Sequence, residues 1–429
     1  MSEHIIVLGN GCASLECIKA TRDLGFGGEL SVMSDNSLPA YNPMLITYFA
    51  SEKIGYEKLF PYGEGFDFYD RYEAKRFFGS AVTALDTERR IVKNADGLEI
   101  SYDKCVIATG AAPVTPPPFS EIEEDVYTLR TVSDAVKFKE LLGSEKKRAL
   151  VVGASMVGIK AAEALVDAGF SVTLADFAGY IFPLAAHKNC ACIIQGSLEK
   201  KGVKLLFDSL AEKIDRGADG YRVFFKGNPA PVETDHILMC VGVRPNVSFA
   251  DTNQIHIDRG ILVNDFMETS AENVYAAGDV CQALDISSGN KQVIGILSNA
   301  RLQGRVAGRN AAGKKTRFGG SLPHNITHFF DQDFICIGDA GDGDFVYEDS
   351  DPANSKYCRL VFNGGRLTGV NILNISEISG TLKSHLTKGM APPGALDHIQ
   401  NECLSMNRLF GRYPGIELAL TERRQSNGN

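Results

Sequence analysis

The sequence predicts an α/β fold with two parallel-sheet domains, followed by a smaller α+β domain. Three observations predict it. A strand, a glycine turn and a helix run in that order from Ile5 to Leu24 and again from Ala149 to Ala168, and each helix leads into a further strand. From about Gly319 the pattern breaks into short β-like pieces. At 429 residues the chain has room for two or three cores. The βαβ order itself implies parallel strands covered by helices.

The first copy opens with the strand Ile5–Leu8, turns through Gly9-Asn10-Gly11-Cys12-Ala13-Ser14, and continues as a helix to about Leu24, stopped by Gly25. A strand at about Glu29–Met33 completes it. Next comes a hairpin, Arg90–Lys93 and Leu98–Ser101, joined through Asn94-Ala95-Asp96-Gly97, because Asp-Gly accepts the positive φ of a tight turn. The strand Cys105–Ala108 is closed by Thr109-Gly110. Pro113 and Pro116–Pro118 then stiffen the chain where one domain crosses to the next. The second copy has the strand Ala149–Val152, the turn Gly153-Ala154-Ser155-Met156-Val157-Gly158, a helix to about Ala168 stopped by Gly169, and the strand Ser171–Ala175. In the last domain the sequence predicts strands at Tyr357–Phe362 and Leu367–Leu373, two late helices, and a polar, disordered tail over Arg423–Asn429.

Composition narrows the functional classes. Hydrophobic residues make up 44% and charged residues 23%, ordinary for a soluble protein. No apolar run approaches a membrane span, and Ile5–Leu8 is too short for a secretory h-region, so a cytoplasmic protein is expected. A net charge of −9 argues against nucleic-acid binding. The ten cysteines form no CxxC pair and no cysteine–histidine grouping at zinc spacing. No metal site is expected, and most of these cysteines read as small buried hydrophobes. Cys190 and Cys192 fall on a helical stretch where i and i+2 point apart.

The two turns carry the chemistry. Glycines let backbone N–H groups approach a pyrophosphate at a helix N-terminus, whose dipole favours anions. Gly9, Gly11, Cys12, Ala13 and Ser14 form the first cradle, with serine in the third glycine position. Gly153, Ser155, Met156, Val157 and Gly158 form the second, with serine in the middle position. Either turn alone is weak evidence, since α/β proteins with no nucleotide have such turns too. An acid after each second strand, Asp35 and Asp176, adds the group that holds ribose hydroxyls about 20 residues on. Both domains are therefore of the Rossmann dinucleotide-binding type. Asp176 repels a 2′-phosphate, and the following Phe177-Ala178-Gly179 offers no cation, so NADH is expected over NADPH.

Further motifs stand in order: Ala108-Thr109-Gly110, Val241-Gly242-Val243-Arg244-Pro245-Asn246 and Val274-Tyr275-Ala276-Ala277-Gly278-Asp279. Over about residues 3–320 the chain resembles the FAD-dependent pyridine-nucleotide oxidoreductases, especially the NADH-dependent nitrite reductase, rubredoxin reductase and ferredoxin reductase branch. The resemblance implies an FAD domain at 1–112 and 243–318, an NAD domain at 113–242, and a C-terminal interface domain at 319–429. It also implies that Gly9, Gly11 and Asp35 hold the FAD pyrophosphate and ribose, that the backbone of Val82 meets the adenine, and that Arg130 faces the phosphates. Asp279 accepts a hydrogen bond from the ribityl chain, and the helix beginning near Leu297 points its positive end at the flavin N1–O2 edge. Asn42, Thr109, Gly110, Gly242 and Gly278 belong to the cofactor sites as well.

Three positions depart from the family. Asn42-Pro43 stands where thiol-using relatives carry a redox cysteine, so electrons are expected to leave without one. Tyr48 and Lys160 occupy places where ferredoxin reductase relatives carry a lysine and a glutamate; Lys160 is then either a cation near the flavin N5 or a solvated helix lysine. Cys12 replaces a histidine; it is either a thiol whose pKa the helix end lowers or a small residue fitted to a crowded turn, and the second reading is favoured. The expected activity is hydride transfer from NADH to FAD, then electron delivery to an external acceptor: a redox protein, a partner subunit, a quinone or a small molecule. Two rivals stand beside it, an FAD-bearing subunit of a heteromeric dehydrogenase and a non-catalytic nucleotide-binding redox sensor. Self-association is left open.

Overall fold

The structure is a computed structural model and describes residues 2–217, 219–375 and 379–388. Contacts divide the chain into two compact units, Met1–Lys146 with His236–Ser321, and Lys147–Asp235 with Leu322–Asn429. No helix among the described residues is long and apolar enough to cross a membrane.

The first unit is built on a parallel sheet of five strands in the order Val274–Ala276, Lys104–Ile107, His4–Leu8, Glu29–Ser34 and Lys75–Phe78. Its central strand is apolar from Ile5 to Leu8 and buried over those residues, as a strand covered on both faces must be. The helices Cys12–Asp23 and Leu297–Ala311 pack together. They approach closely because a Cβ at Gly304 would lie 2.1 Å from the Ala13 carbonyl oxygen, and one at Gly308 would lie 2.4 Å from that of Cys17. Glu16, buried in this seam, takes Arg301 and Arg305 one on each carboxylate oxygen, Arg305 at 2.9 Å. The expected hairpin forms between Ile91–Asn94 and Glu99–Ser101, and Asn94 caps its turn by accepting the Leu98 N–H at 2.9 Å. Beyond the strand Lys104–Ile107, Ala111–Pro113 pairs antiparallel with Val243–Pro245.

In the second unit the strands Arg148–Val152, Ser171–Ala175 and Lys204–Leu206 run parallel. The helices Met156–Asp167 and Lys188–Lys200 belong to the same unit, with Cys190 buried and Cys192 exposed on the latter. The unit's C-terminal part is an antiparallel sheet of five strands, from His324–Phe329 through Gln332–Gly338, Arg366–Leu373 and Lys356–Asn363 to Phe345–Asp351. Both late strands read from the sequence lie in it, each slightly longer than its sequence pattern. One late helix is described, Ser379–Lys388. The other and the tail Arg423–Asn429 lie outside the described residues.

Candidate functional site

At the first glycine turn Gly9 adopts φ +105°, and its N–H donates to the Met33 carbonyl at 2.7 Å. A Cβ at this position would lie 2.2 Å from the Ala108 carbonyl oxygen, so only glycine fits. Gly11 precedes the helix Cys12–Asp23, and no side chain caps that helix end. A Cβ on Gly11 would meet nothing within 4 Å. Ser14, in the first turn, has a buried hydroxyl oxygen with no hydrogen-bond partner. Asp35 follows the second strand with an exposed carboxylate that accepts from Ser34 at 3.3 Å. The Ser80 N–H donates to the Ser34 carbonyl at 3.2 Å and so brings the segment leading to Val82 alongside. Open space, an uncapped positive helix end, an orphaned hydroxyl and an exposed acid can receive a diphosphate and its ribose. FAD fits this cradle.

The companion motifs converge in the same unit. Thr109 donates its hydroxyl to the Asn246 carbonyl at 2.8 Å; Asn246 returns its amide to the Thr109 carbonyl at 3.0 Å and its N–H to the Gly110 carbonyl at 3.0 Å. The Gly242 carbonyl accepts the Val114 N–H at 3.2 Å. Gly278 donates its N–H to Gln303 at 2.8 Å, which ties the Asp279 turn to the helix Leu297–Ala311. That helix also starts without a side-chain cap. Arg130 is set by the capped helix Val132–Leu142, its N–H donating to Asp134 at 2.9 Å, and its guanidinium reaches Asp279 at 2.9 Å. Two residues expected to touch FAD separately are thus partners of each other. Asn42 caps the short turn Pro43–Leu45 by accepting the Met44 N–H at 3.0 Å. Tyr48 is half-buried on the helix Ile46–Ala50.

Cys12 lies in this region, its sulfur 4.0 Å from the Leu297 carbonyl oxygen. A thiol pKa lowered by the helix end is not what the fold produces. Burial, with the Asp279 charge adding to it, pushes the thiol up to about 12. Desolvation outweighs a dipole that falls off within one turn. Cys17, five residues on, is also a free thiol and fully buried; five helical steps place the two about 140° apart around the axis.

The second glycine turn repeats the backbone of the first. Gly153 has φ +105° and donates to the Ala175 carbonyl at 2.8 Å. Its side chains differ. Ser155 caps the helix Met156–Asp167 by accepting the Gly158 N–H at 3.2 Å. Asp176, only 8% exposed, accepts the Ala154 N–H at 2.7 Å and the Ala178 N–H at 2.9 Å. Met156 and Val157 stand at the start of the same helix. Lys160 is not a solvated lysine: its side chain is 12% exposed and bonds Glu163 at 2.9 Å, whose other oxygen accepts the Phe330 N–H at 3.2 Å. The cation is matched by a carboxylate on its own helix. Tyr48 and Lys160 belong to different compact units.

Glu16, Gln303 and Glu163 belong to no sequence motif, yet each holds part of the structure near a glycine turn. The GxxxG spacing of Gly304 and Gly308 is the available sign that a helix packs closely there, though it does not name the buried glutamate that two arginines require. Burial alone would raise the Glu16 pKa, but the hydrogen bonds and charges of Arg301 and Arg305 prevail and hold it below the usual value.

Two glycine turns, each followed by an acid, suit two dinucleotides, the arrangement of an FAD-dependent oxidoreductase that also uses a nicotinamide dinucleotide. Residues 3–304 match the pyridine nucleotide-disulphide oxidoreductase family, and the chain belongs to that family. It is 32% identical over 370 residues to the epsilon subunit of the NADH-dependent phenylglyoxylate dehydrogenase of Aromatoleum evansii, covering 85% of this chain and 87% of that one. To the NADH-rubredoxin oxidoreductase of Clostridium acetobutylicum it is 28% identical over 341 residues, with 79% and 82% covered. Its fold matches a chain of the covalent putidaredoxin reductase–putidaredoxin complex with a TM-score of 0.83 at 21% identity, over 90% of this chain and 93% of that one.

Proposed function

We propose that this chain is a cytoplasmic NADH:acceptor oxidoreductase that passes electrons from FAD to an external acceptor without a redox-active cysteine. The observation that carries the reading is the open, uncapped first turn beside Asp35. FAD bound there supplies a flavin that takes hydride at N5 and releases electrons one or two at a time. The chain's own residues bind and orient. Gly9, Gly11, Cys12, Ala13 and Ser14 surround the pyrophosphate, Asp35 takes the ribose hydroxyls, and Val82 meets the adenine through its backbone. Asp279 accepts from the ribityl chain while Arg130 balances its charge, and the helix starting at Leu297 stabilises negative charge on the flavin. At the second turn, Ser155 occupies the Gly158 N–H, so the Met156 and Val157 N–H groups are the donors assigned to the NADH diphosphate. In this reading the FAD domain spans 1–112 and 243–318, the NAD domain 113–242 and the C-terminal domain 319–429.

NADH is the preferred donor because Asp176 is an acid followed by three uncharged residues. One further reading has an observation in its favour. The phenylglyoxylate dehydrogenase relative is a subunit, and the similarity covers 87% of its length. This chain would then be the FAD-bearing subunit of a heteromeric dehydrogenase, handing electrons to NAD. Anaerobic mixing of the purified yellow protein with NADH should bleach the flavin much faster than NADPH does. Equal rates would end the NADH assignment, and no bleaching by either would leave a redox sensor. Purification from the native host separates the other two readings, since a stoichiometric partner chain appears only for the subunit.

A further inference from the structure

Phe177 stands directly after Asp176, and its surroundings fix it from both sides. The Asp176 carboxylate holds the Ala154 and Ala178 N–H groups, the Asp176 N–H donates to the Leu206 carbonyl at 2.9 Å, and its own carbonyl accepts the Ser209 N–H at 3.0 Å. On the other side, the Ala178 carbonyl accepts the Asp208 N–H at 3.1 Å. Between these anchors Phe177 is left 72% exposed. A surface phenylalanine alone means nothing. This one sits on a backbone held by five hydrogen bonds, at the end of the strand where a dinucleotide's adenosine lies in a parallel sheet. Leu210, on the neighbouring segment, is 57% exposed. Asp176 accepts one backbone N–H on each oxygen, and the exposed Phe177 ring beside it is an apolar face of the size a base can stack on.

We propose that Phe177 is the adenine platform of the dinucleotide site, stacking on the base and anchoring the end of NADH remote from the nicotinamide. The inference rests on the reading that NADH binds at the second glycine turn. A rigidly displayed ring loses little freedom on binding, and stacking tolerates any π-face. It acts equally before and during hydride transfer, so it sets affinity and not rate.

The test uses the purified FAD-loaded protein in anaerobic stopped-flow reduction by NADH and by reduced nicotinamide mononucleotide, which lacks the adenosine half. Phe177→Ala should raise the apparent Kd for NADH on the order of tenfold while the limiting rate stays native. Its kinetics with the mononucleotide should match the native protein, and Phe177→Tyr should restore NADH affinity. Unchanged NADH affinity in Phe177→Ala overturns the proposal. Equal weakening with both donors also overturns it, since the residue would then be merely structural. If NADH does not reduce the native flavin at all, the reading beneath it falls first and takes the platform with it.

Discussion

At Gly9 and at Gly153 the backbone makes the same turn, with the same φ and the same bond from the glycine N–H to the neighbouring strand. The residues after each glycine set the two apart. The first helix begins uncapped, beside an open space and an exposed acid; the second is capped by its own serine, beside an acid buried in hydrogen bonds to the turn. Glycine therefore sets the path, and the flanking polar residues set how much of the helix end is left for a ligand. An open cradle suits a cofactor held permanently. A turn already satisfied by its own side chains holds its shape when empty, which suits a dinucleotide that comes and goes with each cycle.

The largest effect that could break this comparison comes from Gly9→Ala. Positive φ and a carbonyl 2.2 Å from the new carbon together should cost about 3 kcal/mol, and the protein should purify without FAD. Retained flavin and a native melting temperature would show that the first turn can relax and is not a cofactor cradle. Asp176→Ala comes next. It orphans the Ala154 and Ala178 N–H groups, so a loss of about 1–3 kcal/mol is expected, measured by denaturant unfolding. FAD content should stay native and the preference for NADH should narrow; a variant as stable as the native protein would mean that the second turn does not depend on its acid. Cys12 offers the smallest effect. With its thiol pushed up to about 12, it should resist iodoacetamide at about pH 8 while exposed Cys192 reacts. The sign follows from burial: the thiol form is favoured on folding, so this contribution to stability is present below about pH 9 and declines as pH rises toward 12. Rapid labelling of Cys12 under those conditions would show an ionised thiol at the helix end.

The parts legible in the sequence are those fixed by local pattern. Ile5–Leu8 and Ala149–Val152 read as buried strands because they are apolar without interruption, and each helix ends within a residue or two of its glycine. The Asp-Gly hairpin and the two late strands follow the same logic. The contacts that escape such reading depend on residues distant in the chain. Arg130 and Asp279 lie 149 residues apart, and Glu16 lies 285 from Arg301, so neither pair leaves a trace in local spacing. The acid Asp176 is visible after its strand, yet its bonds to Ala154 and Ala178 depend on how the turn closes. At Cys12 the favoured reading, a small residue fitted to a crowded turn, agrees with the burial found there; the helix end is visible in sequence, and the extent of the burial that overrides it is not.

The seam between the helices Cys12–Asp23 and Leu297–Ala311 has a consequence for synthesis. The first unit needs the strand Val274–Ala276 at the edge of its sheet and Arg301 and Arg305 to neutralise Glu16. Arg301 and Arg305 are made 285 and 289 residues after Glu16. The opening βαβ segment must wait without the arginines that pair its carboxylate, while residues 147–235 are made in between. Contacts this far apart close slowly, because the loop entropy is lost before any of them forms. Truncation before Leu297 should therefore yield an aggregating chain, and not a smaller flavoprotein.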